Sequence, residues 1–134
     1  MARRIRNNGA VFLIVVFAIA FLATITVGIL VMSAEEVQLM QNQLYAAQAL
    51  CTAEAGLNDA FAEIRSDSGW TTGFNNKAFN GDTYTVTVTG TLPTRTITST
   101  AVSSQGYTAR VAADVTIGSS SPYIIRIDAM RINE

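Results

Sequence analysis

Three patterns of apolar and polar residues follow one another along the chain, and each predicts a different element. Residues 10 to 32 (AVFLIVVFAIAFLATITVGILVM) are 23 positions without a charge or a proline. Such a run exceeds the ~18 apolar residues that mark a membrane-crossing helix, and at ~1.5 Å per residue it covers roughly 35 Å of a ~30 Å hydrocarbon core. Residues 33 to 65 contain no proline and one glycine, Gly56, and are dominated by alanine, leucine, glutamine and glutamate. These are strong helix formers. Val37, Met40, Leu44, Ala47, Leu50, Leu57, Phe61 and Ile64 recur in steps of three, four and seven. Those steps mark one stripe of a helix that docks on the downstream domain or on neighbouring subunits. Gly28 and the β-branched run Thr24-Ile25-Thr26-Val27 are the weakest stretch of the continuous helix so predicted.

Ser66-Asp67-Ser68-Gly69 reads as a helix stop, and residues 71 to 80 as a polar loop that Trp70, Phe74 and Phe79 pin to the core. Beyond it the period falls to two. Tyr84, Val86 and Val88 alternate with threonines, and a second strand runs near residues 94 to 103. Tyr107, Ala109, Val111, Ala113, Val115 and Ile117 share one face of a third, and Tyr123, Ile125, Ile127 and Ala129 one face of a fourth. Alternation of this kind gives each strand one buried and one wet face. The connections, Gly90-Thr91-Leu92-Pro93, Ser104-Gln105-Gly106 and residues 118 to 122, are short, so successive strands pair antiparallel. The expected fold class is α+β: a long N-terminal helix, membrane-crossing in its first half, packed on a small antiparallel sheet of about four strands. The threonine-rich outer face is what high β-propensity alone produces.

Charge orients the membrane segment. Arg3, Arg4 and Arg6 precede it, while Glu35 and Glu36 follow it. The positive-inside rule then puts the N-terminus in the cytoplasm and the rest outside. A cleaved secretory signal is the rival reading, but its apolar region is shorter and ends in a small-residue cleavage site. From Ser33 onward six basic residues face ten acidic ones, so no basic stripe tracks a nucleic-acid backbone. There is no histidine and a single cysteine, Cys51, which excludes an intrachain disulfide and a Cys/His zinc site. No catalytic constellation or cofactor motif is visible. The default for Cys51 is a small buried hydrophobe. Glu54 is either a helix-packing or intersubunit contact or part of a solvated helix face.

A basic leader ending in glycine (MARRIRNNG), an apolar helix directly after it, an amphipathic continuation and a small sheet resemble the type IV pilin and type II secretion pseudopilin superfamily. Within it the chain is most similar to the PilX-type minor pilins. A second match is the alanine-rich segment from Ala46 through Ala53-Glu54-Ala55-Gly56-Leu57, similar to the AEAGL segment of those helices. The motifs cover about the first 65 residues. The resemblance implies a leader of residues 1 to 9, an assembly helix of 10 to 32, an amphipathic helix of 33 to 65 and a sheet domain of 66 to 134. It implies cleavage between Gly9 and Ala10 by a prepilin peptidase, N-methylation of Ala10, and no cofactor. The implied partners are other pilin or pseudopilin subunits, membrane lipid, and an inner-membrane assembly platform with a cytoplasmic ATPase. Major pilins carry a glutamate five residues after the cut, where this chain has Ile14. That departure points to a minor, initiating or tip subunit in which Ala18, Ala20, Ala23 and Gly28 allow close helix packing. The alternative is an unprocessed, membrane-tethered periplasmic binding or scaffold module.

Overall fold

The structure is a computed structural model that describes residues 5–132, with side chains from residue 9 onward. Leader residues Arg3 and Arg4 lie outside the described residues, as does the side chain of Arg6. One helix, α1 (Ile5–Ser66), precedes five strands: β1 (Phe74–Phe79), β2 (Asp82–Thr91), β3 (Thr94–Val102), β4 (Thr108–Ile117) and β5 (Ile125–Ile132). The chain divides into two compact units, Met1–Gln41 and Asn42–Glu134. The class is α+β, as the patterns predict.

In the second unit the strands form one antiparallel meander in the order β1-β2-β3-β4-β5, and the C-terminal part of α1 packs on one face of it. The helix contributes Ala49, Ala53, Leu57, Ala60 and Ile64 to the core. The sheet contributes Tyr84 and Val86 from β2, Ile97 and Ala101 from β3, and Ala109, Val111, Ala113, Val115 and Ile117 from β4. Period-two alternation places all these strand residues on the helix side, as the sequence pattern requires. The helix ends where the polar cluster begins. Asp67 N–H bonds Glu63 O at 2.9 Å, and the Asp67 side chain accepts from Gly69 N–H at 2.8 Å, an Asx turn that leads the chain out of the helix.

Three expectations are corrected. The sheet has five strands rather than about four, because the expected loop at residues 71 to 80 contains β1. Its sequence, FNNKAF, does not alternate: β1 is an edge strand, only Phe74 is half-buried, and a bulge with Asn76 at φ 45° interrupts the register. Gly73 admits it: φ is +69° there, and a Cβ would lie 2.2 Å from Val86 O.

The second correction concerns the helical stripe. Leu57 and Ile64 are buried and Leu50 and Phe61 half-buried, but Val37, Met40, Leu44 and Ala47 are exposed. The seam is instead lined by Ala49, Ala53, Gly56 and Ala60. Small side chains bring the helix backbone close to the sheet, so that the ring of Tyr84 fills the space larger helical side chains would need. Cys51, expected to be buried, is exposed on the opposite face.

The third concerns β5. Pairs Val115↔Ile127, Ala113↔Met130 and Val111↔Ile132 flank a register shift between Asp114 and Val115. Asp128 is the extra residue of a bulge, which reverses the alternation. Ile125 and Ile127 therefore face the helix side as predicted, but Ala129 faces outward and Met130 and Ile132 take its place.

Candidate functional site

In the first unit, the helix between residues 10 and 32 is exposed at every position. Phe12, Phe17, Phe21, Leu22 and Leu30 point to different sides of it, each more than 60% exposed. By length and composition the helix is able to cross a membrane. Its two central hydroxyls are closed off internally: Thr24 Oγ1 donates to Ala20 O and Thr26 Oγ1 to Leu22 O, both at 2.8 Å. In hydrocarbon such i−4 bonds spare the hydroxyl an unmet donor.

The residues expected to carry processing and packing all lie on this helix. At Gly9 and Gly28 a Cβ would meet nothing within 4 Å. Ala10, Ile14, Ala18, Ala20 and Ala23 are exposed. They do not share one face. At ~100° per residue Ala20, Ala23 and Gly28 fall on one side, while Ala18 points elsewhere. Thr24 completes a small-residue ridge, Ala20-Thr24-Gly28, at four-residue steps. Sequence reading passed over it because threonine was counted there only for its β-branching.

The second unit carries three polar clusters, two that fasten α1 to the sheet and one that fastens the segment after it. The first joins Asp59 of the helix to β1 and β2. Lys77 Nζ donates to Asp59 Oδ2 at 2.6 Å, the Tyr84 hydroxyl donates to the same oxygen, and Lys77 also lies 4.4 Å from the centre of the Phe74 ring. The hydrogen bonds from Lys77 and then Tyr84 hold the Asp59 carboxyl below its ordinary value, against a weaker opposing effect of burial. Asp59 in turn raises Lys77. Burial, followed by the bond to Asp59, raises the Tyr84 phenol.

The second cluster centres on Asp82, which is 2% exposed. Its Oδ2 accepts from Thr52 Oγ1 at 3.2 Å and its Oδ1 from Ser104 N–H at 2.9 Å, which ties helix, β2 and the β3–β4 turn together. The third is Arg95, buried on the helix side of β3, whose Nη1 donates to Trp70 O at 2.7 Å. That bond fixes the segment between the helix end and β1, where the Trp70 ring packs tilted against Phe74 with centroids 5.2 Å apart. Arg95 Nε and Ser99 Oγ are buried without partners.

The outer face of the sheet is laced by carboxylates. Arg131 makes a two-pronged contact with Asp114 at 2.8 and 3.1 Å, and Thr96 donates to the same carboxylate at 2.7 Å. Thr116 and Arg126 both donate to Asp128. Arg131 and then Thr96 lower Asp114, and the Thr116 hydroxyl is the main cause lowering Asp128.

No family model, curated protein or solved structure matches this chain. What it does is therefore read from its own surfaces. Among the described residues no three histidine, cysteine, aspartate or glutamate side chains come together to hold a metal ion. Asp59, Asp82, Asp114 and Asp128 each accept from a side chain or backbone N–H of another element of the fold. Glu54 is half-buried on a helix flank with Leu50, Leu57 and Phe61, which is turned away from the partners of Thr52 and Asp59 on β2 and β1. The Asp82 node was not legible in the sequence, since a lone aspartate in a Gly-Asp-Thr turn looks like any turn residue. The surfaces described are an apolar helix exposed on all sides from residue 10 to 32, and a sheet domain with a packed inner and a charged outer face.

Proposed function

We propose that the chain is a minor pilin or pseudopilin subunit, of the initiating or tip kind, assembled through its N-terminal helix into a type IV pilus or type II secretion-like filament. One observation carries the reading. The same helix is exposed at every position from residue 10 to 32, and further along buries Ala49, Ala53, Ala60 and Ile64 completely against a sheet. An element with those two surfaces stores a folded domain beside a membrane and offers its other half to lipid, or to like helices when it is lifted out. The ridge Ala20-Thr24-Gly28 permits the close backbone approach that packing among like helices requires. Ile14 leaves no carboxylate inside the apolar run, and an unpaired charge there is costly. This favours a minor subunit over a self-polymerising one.

In this reading the N-terminus is cytoplasmic and the sheet domain periplasmic, anchored in the inner membrane until assembly. A prepilin peptidase cuts between Gly9 and Ala10 and methylates the new amine. A platform with a cytoplasmic ATPase then lifts the helix from the lipid into contact with other subunits. Mass spectrometry of the N-terminus, in cells with an active peptidase, tests it. The expected mature chain begins at N-methylated Ala10, and Gly9→Val retains the leader. An intact leader on the wild-type chain would instead identify a tethered periplasmic module. Equal shortening of wild type and Gly9→Val would show that the glycine does not direct the cut.

A further inference from the structure

We draw no further inference here: the strongest candidate, the half-exposed apolar strip of Ile127, Met130 and Ile132 on the inner face of β5, is an unpartnered face and nothing in the structure shows what covers it.

Discussion

Replacing Gly56 by alanine sets two effects against each other. Alanine is the better helix former by about 0.8–1.0 kcal/mol, so on an exposed helix the substitution would stabilise. Here the new Cβ would sit 2.5 Å from Ser99 Oγ, 2.6 Å from Tyr84 Cδ2 and 2.9 Å from Tyr84 Cγ. None of these atoms yields easily. Ser99 is completely buried, and the Tyr84 ring is held at its hydroxyl by Asp59 and flanked by Phe74 at 6.1 Å and Phe79 at 6.4 Å. Overpacking of a formed core costs about 1–3 kcal/mol, and three contacts below 3 Å place this site at the upper end. With the gain in helix propensity set against it, the expected net loss is ~2 kcal/mol. The assay is urea denaturation of the full chain in micelles, read by the fluorescence of Trp70, the single tryptophan, which packs on Phe74. Tyr84→Leu serves as partner in a double-mutant cycle: with the ring gone, Gly56→Ala should cost ~1 kcal/mol less than in the wild-type background. A Gly56→Ala chain as stable as the wild type, or more stable, would refute the close approach of helix and sheet.

Asp82→Ala leaves the Ser104 N–H and the Thr52 hydroxyl without their acceptor, so a loss of ~1–3 kcal/mol is expected in the same denaturation assay. An unchanged midpoint would mean that water replaces the carboxylate. Ile64→Ala opens a cavity at a fully buried position and should cost ~2–5 kcal/mol, against less than ~0.5 kcal/mol for an exposed position such as Ala62→Ser. The depressed Asp59 carboxyl makes stability pH-dependent with a fixed sign. Its contribution is fully present above the unfolded value of about 3.9 and is lost as pH falls through the lower folded value. Asp114 and Asp128, lowered by Arg131 and by Thr116, add to the same acid loss. Asp59→Asn should flatten the acid limb of a midpoint-versus-pH curve, and an unchanged slope would count against the Lys77–Asp59–Tyr84 node.

The long elements were legible because their periods are unmistakable. A charge-free run of 23 residues and three strands with clean alternation each demand one structure. The failures have separate causes. β1 was missed because an edge strand need not alternate, and FNNKAF has neither face buried beyond Phe74. The parity of β5 failed because a bulge cannot be read from side-chain pattern: Asp128 satisfies the alternation of charge while it breaks the alternation of direction. The helical seam was misplaced because size was taken as the sign of burial. Leu44 and Met40 are large and exposed, whereas Ala49, Ala53 and Ala60 are small and completely buried. Asp82 and Arg95 were unreadable because their roles depend on partners 20 or more residues away in sequence.

This bears on what the AEAGL segment signifies. In the structure Ala53, Gly56 and Leu57 face the sheet, and Gly56 is fixed by the Tyr84 ring of the same chain. The segment is thus explained by packing inside one chain. A chain that carries it has a helix close against a sheet, and nothing in those residues requires a filament. The case for assembly has to come from surfaces that packing within the chain leaves uncovered: the helix from residue 10 to 32, the Val37-Met40-Leu44 stripe, and the inner strip of β5. Substitutions therefore sort by where they act. Changes at Gly56, Asp82 or Ile64 should lower stability and reduce assembly only in proportion. Changes at Gly28 or Leu44 should leave the denaturation midpoint alone and act on association. If Leu44→Glu and Met130→Glu lowered the midpoint as far as Ile64→Ala does, those positions would belong to the core, and the surface reading of this protein would be lost with them.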